Sequence, residues 1–308
     1  MIYTITLNPA VDYVATLSKF ESGSLNRTDT ENFYPGGKGI NVSRLLTRLG
    51  VENTALGFVA GFTGQFMEDS LALESVQTNF IHLPSGNTRI GVKLKAGSEE
   101  TEINAKGPEV SEDQVRKLVE MCDSIEPQDF LVLAGKVANG MDEGFYEQLM
   151  EAYSDRFKVV VDATGSALLK TLPFKPFLIK PNQHEIGEIF GVTLEDEADI
   201  LYYGLKLQEM GAKNVLISLG GHGAILITAE GTLLRSNVPA GVVKNSVGAG
   251  DSMVAGFLAG YVLTEDYEQA LKMGAACGSA TAFSSDLAEA GFIKELFKEI
   301  QVKDMRRK

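Results

Sequence analysis

Short apolar segments alternate with segments of helical periodicity through the middle of the chain, and this alternation limits the possible folds more than any other feature. Four segments have the composition of buried strands: Phe130 to Leu133, Val159 to Asp162, Phe177 to Lys180 and Val215 to Leu219. Helical periodicity is found before and between them, at roughly Ser111 to Cys122, Asp142 to Tyr153, Thr164 to Thr171, Gln183 to Phe190 and Glu195 to Met210. Repeated strand–helix units of this length predict an α/β fold with a mostly parallel sheet sandwiched by helices.

The remaining segments extend this pattern towards both ends of the chain. We expect strands at Ile2 to Leu7 and Thr54 to Gly61, a helix at Gly64 to Leu73, a hairpin of Ala224 to Thr228 with Thr232 to Arg235, helices at Tyr267 to Phe283 and Gly291 to Ile300, and a frayed basic tail at Lys303 to Lys308. No repeat or linker-like stretch divides the chain, so residues 1–308 are predicted to form one domain.

Two further pairs of short strands do not fit between the helices of such a sheet. They are Tyr13 to Phe20 with Thr28 to Phe33, and Thr88 to Lys95 with Thr101 to Asn104, the second pair joined across Ala96-Gly97-Ser98. We expect a small β-sheet lid inserted at about residues 12–34 and 87–105. Alternation places Ile90, Val92 and Leu94 on one face of the third strand and basic side chains on the other. Because an exposed apolar face is unfavourable, the lid is predicted to pack against a second copy in a homodimer.

The glycine-rich stretch from Asn245 to Gly256 combines small residues, an acid and the start of a helix. Apolar residues at helical spacing follow Asp251, so we expect the helix to begin at about Ala249. Unpaired N–H groups of the first turn, left accessible by Gly248, Ala249 and Gly250, suit a phosphate. A carboxylate at this point would repel a phosphate but fits a general base acting on a neighbouring hydroxyl. The alternative is an ordinary helix start with an acid in its first turn.

A second glycine-rich stretch, Gly36 to Asn41, also leads into a helical pattern and carries Lys38. It lacks the spacings of the Walker A loop and of the dinucleotide fingerprint, and taken alone it is a weak signal. Upstream, Asp12 follows the first predicted strand. Because ligands of open α/β sheets bind outside the carboxyl ends of the strands, Asp12 is a candidate for binding polyol hydroxyls; the alternative is a cap of a loop turn.

Two more polar stretches follow predicted strands. Asn182 and Glu185 lie where the chain leads from Lys180 into a helix. An amide and a carboxylate there can hold a hydrated Mg2+ ion, or they can form a capping box. The stretch from Ser218 to Gly223 allows close approach of a nucleotide, or it forms a glycine-rich hairpin turn.

Charge and cysteine content argue against several classes of function. The chain has 41 acidic and 28 basic residues, a formal net charge of −13, which argues against nucleic acid or an anionic membrane as the main partner. Any anion site must therefore be built from local bases. The widely separated Cys122 and Cys277 fit a reducing cytoplasm rather than a disulfide framework. We expect neither a signal peptide nor a membrane span.

Together, the two glycine-rich stretches resemble the signatures of the PfkB family of sugar kinases, which has the ribokinase-like fold. The signatures match residues 36–41 and 245–256, and LIKPNQHE and ISLGGHGA lie between them. The resemblance therefore covers essentially the whole chain. ITLNPAVD, TRIGVKL and TEINAKGPE are similar to the branch that phosphorylates ketose phosphates. The resemblance implies a kinase that uses ATP and Mg2+ and acts on a ketohexose phosphate, with fructose 1-phosphate as the first choice and tagatose 6-phosphate as the alternative.

The resemblance also implies a role for each matching residue. Asp251 corresponds to the catalytic base, and Gly248, Ala249 and Gly250 to the anion hole. The other implied positions are Asp12, Gly37, Lys38, Asn41 and Asn104 for the sugar, Arg89 and Arg27 for the substrate's own phosphate, Lys180, Asn182, Ser218, Gly220, Gly223, Val247 and Gly250 for ATP, and Glu185 with Asn182 for Mg2+ through water. Relatives usually carry S-G-S-L-P-x-G at residues 134–140, where Lys136 here replaces a small serine. Lys136 is expected to bind the substrate phosphate or to change the sugar preference.

Two other classes of function match these residues less well. A nucleotide-binding regulator without turnover has no use for a base at Asp251. A dinucleotide oxidoreductase requires a glycine spacing that Gly36 to Gly39 lacks, and an acid at the end of the next strand.

Overall fold

The computed structural model describes residues 1–97 and 99–306, which form a ten-stranded sheet and a separate four-stranded sheet. The strands are β1 (Ile2–Thr6), β2 (Ala10–Leu17), β3 (Thr30–Gly36), β4 (Asn53–Val59), β5 (Thr78–His82), β6 (Arg89–Ala96), β7 (Glu99–Asn104), β8 (Phe130–Ala134), β9 (Lys158–Asp162), β10 (Leu178–Ile179), β11 (Asn214–Ser218), β12 (Ala224–Ile227), β13 (Leu233–Ser236) and β14 (Val302–Asp304). The larger sheet has the order β14-β13-β12-β11-β10-β9-β8-β1-β4-β5. Its strands from β11 to β5 pair in parallel, and the other three add on antiparallel.

Helices cover both faces of the larger sheet. They are α1 (Lys38–Arg48), α2 (Gly61–Leu73), α3 (Glu112–Asp123), α4 (Phe145–Tyr153), α5 (Gly165–Thr171), α6 (Gln183–Phe190), α7 (Glu197–Glu209), α8 (Ala249–Thr264), α9 (Tyr267–Ala282) and α10 (Ala290–Phe297). Successive side chains of β8 alternate between two apolar clusters, with Leu131 and Leu133 packed among α3 to α7, and Phe130 and Val132 among α1, α8, α9 and α10. This alternation is typical of a strand buried on both faces.

Helix α8 is buried for ten consecutive residues, 251–260, because it lies between the sheet and α9. Glycines permit the close approach of the two helices: a Cβ at Gly256 would lie 2.6 Å from Cys277 Sγ, and one at Gly274 would lie 2.9 Å from the Met253 carbonyl oxygen. These close contacts fix α8 between the sheet and α9, and so fix the position of its first turn.

The predicted α/β fold with a mostly parallel sheet is confirmed, and α8 begins at Ala249 as predicted. The sequence did not predict β5, because only Phe80 of this edge strand is buried. The prediction of a frayed tail from Lys303 onwards is wrong for residues 303 and 304, which belong to β14 and pair with β13. Residues 307 and 308 of that tail lie outside the described residues. Lys180 follows β10 instead of ending it.

The four-stranded sheet, which we call the lid, has the order β3-β2-β6-β7. Both predicted strand pairs are present, although β2 begins at Ala10 and β3 ends at Gly36 because the pairing continues to the connections with β1 and α1. Ser98 in the predicted turn lies outside the described residues. The two central strands, β2 and β6, pair in parallel. Within residues 1–97 and 99–306, no helix is both long and apolar enough to cross a membrane.

Candidate active site

The strand order switches at β1, because the chain continues to β4 and β5 on one side and then returns to β8 on the other. In open parallel sheets, ligands bind outside the carboxyl ends of the strands at such a point. A cavity of about 770 Å³ lies here, lined by residues of both the larger sheet and the lid. It contains most of the residues predicted from the sequence: Asp12, Gly37, Lys38, Asn41, Arg89, Asn104, Lys136, Lys180, Asn182, Glu185, Ser218, Val247, Gly248, Gly250 and Asp251.

Helix α1 reaches the cavity because glycines let it pack closely on β1. Gly37 has a φ of 118°, and a Cβ at Gly39 would lie 2.5 Å from Thr6 Oγ1 and 3.0 Å from the carbonyl oxygen of Ile5. Any larger residue would push the helix away from the strand. The close packing brings Lys38 and Asn41, which α1 carries, into the cavity with Asp251.

Asp251 lies in the first turn of α8 and is only 7% exposed. Asn41 Nδ2 donates a hydrogen bond of 2.8 Å to Asp251 Oδ2 and so fixes the carboxylate. Gly248 precedes the helix with a φ of 78°, and within the described residues no side chain caps the N–H groups of this turn. Ala249 N–H donates to the Ser246 carbonyl oxygen at 3.3 Å, so the N–H groups of Gly250 and Asp251 are the ones that the predicted anion site next to the carboxylate would use.

A second buried acid, Asp162, was not predicted as a site residue. It ends β9, and its Oδ1 lies 2.9 Å from Lys38 Nζ and 3.6 Å from Lys180 Nζ. Burial alone would raise its pKa, but the two ammonium groups outweigh burial and lower the pKa, so Asp162 is ionised. An acid at the end of the apolar segment KVVVD was the available signal. Asp162 fixes the two lysines that the sequence assigned to separate stretches.

The pKa of Asp251, unlike that of Asp162, is raised. Burial raises its pKa most and the negative charge of Asp162 raises it further, while Lys38, the hydrogen bond from Asn41, and Lys180 lower it. The result is a pKa of about 6. A carboxyl group with this pKa is mostly ionised at neutral pH but binds a proton more readily than an ordinary aspartate, which suits a general base.

The lid contributes bases to the opposite wall of the cavity. Arg89 donates from Nη1 to Asn104 Oδ1 at 3.0 Å and from Nε to the Asn8 carbonyl oxygen at 3.2 Å. Lys93 Nζ lies 3.1 Å from Asp12 Oδ2, so the predicted sugar ligand Asp12 is already paired with a lysine. The alternation of residues 88–95 placed Lys93 on the basic face, but Lys93 was not predicted as a site residue.

The balance of charge in the cavity is positive although the whole chain has a net charge of −13. Six bases and four acids line it: Lys38, Arg89, Lys93, Lys106, Lys136 and Lys180, against Asp12, Glu102, Glu185 and Asp251. Among the described residues, Lys106 and Lys136 have no ion-pair partner. Lys106 was not predicted because it lies in an irregular segment after β7, where Asn8 Nδ2 donates to its carbonyl oxygen at 3.0 Å. Such a cavity favours an anionic ligand.

A second cavity, of about 790 Å³, lies on the other side of Gly250. It contains the predicted nucleotide residues Ser218, Gly220 and Gly223 together with apolar side chains of Met253 and Phe283. Asn182, Ser218 and Gly250 line both cavities. A ligand that occupies both would therefore pass the first turn of α8.

The profile of the pfkB family carbohydrate kinases matches residues 5–290. The chain belongs to this kinase family. It is 47% identical over 303 residues to 1-phosphofructokinase from Bacillus subtilis (strain 168). The matched region covers 98% of this chain and 99% of that protein. It is 36% identical to D-tagatose-1-phosphate kinase from Bacillus licheniformis, with the same coverages. Phosphofructokinase-2 from Escherichia coli, solved in complex with substrates and products, has a TM-score of 0.91 at 28% identity, covering 97% of this chain and 98% of that one.

The kinase is therefore a phosphotransferase with an alcohol acceptor, as the resemblance implied. In the kinase, Asn182 and Glu185 form the capping box of α6 that the sequence left open as an alternative. Glu185 N–H donates to Asn182 Oδ1, and Asn182 N–H donates to Glu185 Oε2, both at 2.8 Å. Within the described residues, no group of three or more acidic, histidine or cysteine side chains could hold a metal. Glu185 with water and nucleotide phosphates still fits Mg2+, which needs few protein ligands.

One predicted residue is not brought to the site by this chain. Arg27 lies on the exposed loop between β2 and β3 and does not line the cavity. The prediction that Arg27 contacts the substrate phosphate therefore has no support from the geometry of a single subunit.

Proposed function

We propose that the kinase transfers the γ-phosphoryl group of ATP to the 6-hydroxyl group of fructose 1-phosphate and so forms fructose 1,6-bisphosphate. The observation that carries the proposal is the position of Asp251, which lines a cavity rich in basic residues and directly follows Gly250, a residue that lines both this cavity and the second one. The identity to 1-phosphofructokinase supports the sugar. The two free, buried cysteines, Cys122 and Cys277, support the cytoplasm as the location.

In the proposed reaction, Asp251 accepts the proton of the hydroxyl group as its oxygen attacks the γ-phosphorus. The new O–P bond forms while the bond between the γ-phosphorus and the bridging oxygen breaks, and ADP leaves with that electron pair. The N–H groups of the first turn of α8, with Lys38 and Lys180, stabilise charge on the transferring group. Asn41 holds the carboxylate by its Oδ2 and so orients the base.

We propose that Mg2+ accompanies ATP and is held through water by Glu185, with Asn182 fixing that side chain in the capping box. When bound, the ion would neutralise charge on the nucleotide phosphates. Glu185 lies in the first turn of α6 and lines the cavity, so its carboxylate is the group that this chain would offer to the ion.

An assay of ADP release over several acceptors tests the substrate. The panel contains fructose 1-phosphate, fructose 6-phosphate, tagatose 1-phosphate, tagatose 6-phosphate and unphosphorylated sugars. We expect the highest kcat/KM with fructose 1-phosphate. Tagatose 6-phosphate stays the alternative predicted from the sequence, whereas the name of the relative from Bacillus licheniformis favours tagatose 1-phosphate. A preference for unphosphorylated sugars would contradict the proposal, since the basic side chains of the cavity that have no ion-pair partner would then have no anionic ligand.

The pH dependence of the reaction should reflect the protonation of Asp251. Because the pKa of this carboxyl is raised to about 6, the ionised base is lost as the pH falls through that value. We expect kcat/KM for fructose 1-phosphate to fall roughly tenfold per pH unit below it. The measurement is a series of initial rates between pH 5 and pH 8 at constant ionic strength.

A comparison with Asp162→Asn separates the base from the substrate's phosphate, which titrates in the same range. Removing the Asp162 charge removes a cause of the raised pKa of Asp251 and leaves Lys38 and Lys180 to lower it further. The acid limb of the profile should therefore move to lower pH in this variant. An acid limb at an unchanged pH would assign it to the substrate instead.

We also propose a homodimer formed through the outer face of the lid. One row of side chains crosses this face in register, Phe33, Tyr13, Val92 and Ile103. Phe33 is 52% exposed and Ile103 is 58% exposed, while Val92 is half-buried. Exposed apolar side chains in such a row favour a symmetrical contact with a second copy.

Val92→Asp is expected to dissociate the dimer, because it places a charge at the centre of this row. Activity should fall as well, since the lid would lose the support of its partner. Sedimentation velocity at micromolar concentration measures the change. Leu263→Asp is the matched control, because it puts the same charge on a 70% exposed aliphatic position at the far end of α8. A wild-type monomer with full activity would rule out the lid contact.

A further inference from the structure

A lid residue without a role in the mechanism above contacts the loop that leads into α8. Lys95, near the end of β6, donates from Nζ to Asn245 Oδ1 at 3.3 Å. The nearest carboxylate oxygen, Glu100 Oε1, is further away at 3.8 Å. The Lys95 side chain is 25% exposed, so the contact is shielded from much of the solvent. Lys95 does not line either of the two large cavities.

Asn245 determines the shape of the loop before the anion hole. Its Oδ1 also accepts a hydrogen bond of 3.2 Å from Val247 N–H, and its Nδ2 donates to the Ser285 carbonyl oxygen at 3.2 Å. The backbone N–H of Asn245 donates to the Ala282 carbonyl oxygen. The side-chain amide of Asn245 thus contacts the lid through Lys95 and also holds the backbone directly before Gly248.

Strand β6 connects this contact with the substrate cavity. Arg89, Lys93 and Lys95 occupy alternate positions and therefore share one face of the strand. Arg89 and Lys93 line the cavity, whereas Lys95 reaches Asn245. Because all three belong to one strand paired on both sides, a ligand that fixes Arg89 and Lys93 also fixes Lys95.

We infer that Lys95 is a positioning residue that makes the anion hole depend on the lid, an inference that rests on the proposed kinase function. Through Asn245 Oδ1, its ammonium group holds the backbone of Val247 and Gly248 in the shape that receives the transferring phosphoryl group. With the sugar phosphate bound and the lid in place, this shape is maintained.

The test is the kinetics of Lys95→Met, which keeps the length of the side chain but removes the donor. We expect kcat with fructose 1-phosphate to fall roughly tenfold, as for loss of a partly shielded hydrogen bond from a charged group. The KM for ATP and the melting temperature should stay unchanged, because Lys95 contacts no nucleotide residue and its strand remains paired. Lys95→Arg should restore most of kcat. Glu100→Gln is the matched control, since it removes the other neighbour of Lys95 and should leave kcat unchanged.

A double-mutant cycle with Asn245→Ala then measures the coupling. If Lys95 acts through Asn245, the double variant loses little more kcat than Asn245→Ala alone. Additive losses, an unchanged kcat in Lys95→Met, or an equal loss in Glu100→Gln would each overturn the inference. Wild-type activity in the same assay keeps the two hypotheses apart. An inactive wild type contradicts the proposed function, whereas an active wild type with an equally active Lys95→Met contradicts only the role of Lys95.

Discussion

Asp251→Asn is expected to lower kcat by about 10²- to 10⁴-fold, the range typical of a lost general base. The amide side chain has nearly the same size and can still accept the hydrogen bond from Asn41, so the geometry of the first turn of α8 is retained. It cannot accept the proton of the attacking hydroxyl group. The KM values for ATP and for the sugar phosphate should change little. Initial-rate kinetics at pH 8, where the wild-type carboxylate is ionised, measure the effect.

The stability of this variant separates a chemical effect from a folding defect. The pKa of Asp251 is raised from 3.8 to about 6 in the folded protein, so its ionisation destabilises the fold as the pH rises through this range, and the cost is fully present above pH 6. Replacing it by a neutral amide should therefore not lower the melting temperature. Asp266→Asn is a matched control, because it makes the same change at the N-cap of α9, where the asparagine remains a good cap. Wild-type kcat in Asp251→Asn would show that another group is the base.

Arg89→Ala should raise the KM for fructose 1-phosphate by roughly 10- to 100-fold, with little effect on the KM for ATP. A charge-assisted hydrogen bond contributes about 1.5–3 kcal/mol. The neutral partners of Arg89, Asn104 and the Asn8 carbonyl group, fix its guanidinium group without neutralising the charge. That charge is therefore available to the substrate phosphate. Saturation kinetics for each substrate, with the other held at saturation, give both KM values.

Two companion variants set the scale of the effect. Lys136→Ser restores the small residue that relatives usually carry and should raise the same KM less than Arg89→Ala, because Lys136 lies on an exposed connection after β8. Arg116→Ala removes an arginine from the surface of α3, where it pairs with Asp113, and should change neither KM. Equal increases in the two KM values of Arg89→Ala would place this residue outside the phosphate site.

The sequence was most informative where local chemistry alone determines structure. Small residues before Asp251 predicted the first turn of α8, and the three-residue spacing of Asn182 and Glu185 predicted a capping box as one of two alternatives. Both features depend on neighbours within a few residues. The strand–helix alternation likewise predicted the parallel sheet, because burial on both faces leaves a continuous apolar segment.

The missed features depend on residues that are distant in the sequence. Asp162 joins the candidate site only because α1 brings Lys38 and the end of β10 brings Lys180 to the same point. Lys93 acquires its partner Asp12 through the pairing of β2 with β6, which are separated by more than seventy residues. The edge strands β5 and β14 bury few side chains, so their pattern resembles that of loops. Their pairing is determined by the rest of the sheet.

Because β2 and β6 pair in parallel, a rotation of the lid would displace its two ends by different amounts. Both central strands leave the core at the same end, near Ala10 and Arg89, and both point away from it. For a given rotation about that base, displacement grows with distance along the strand. Arg89 lies at this base, and Lys95 lies about 20 Å further along β6 at the usual rise per residue. The bond from Lys95 to Asn245 therefore holds the lid near its outer end, where a given rotation would produce the largest displacement.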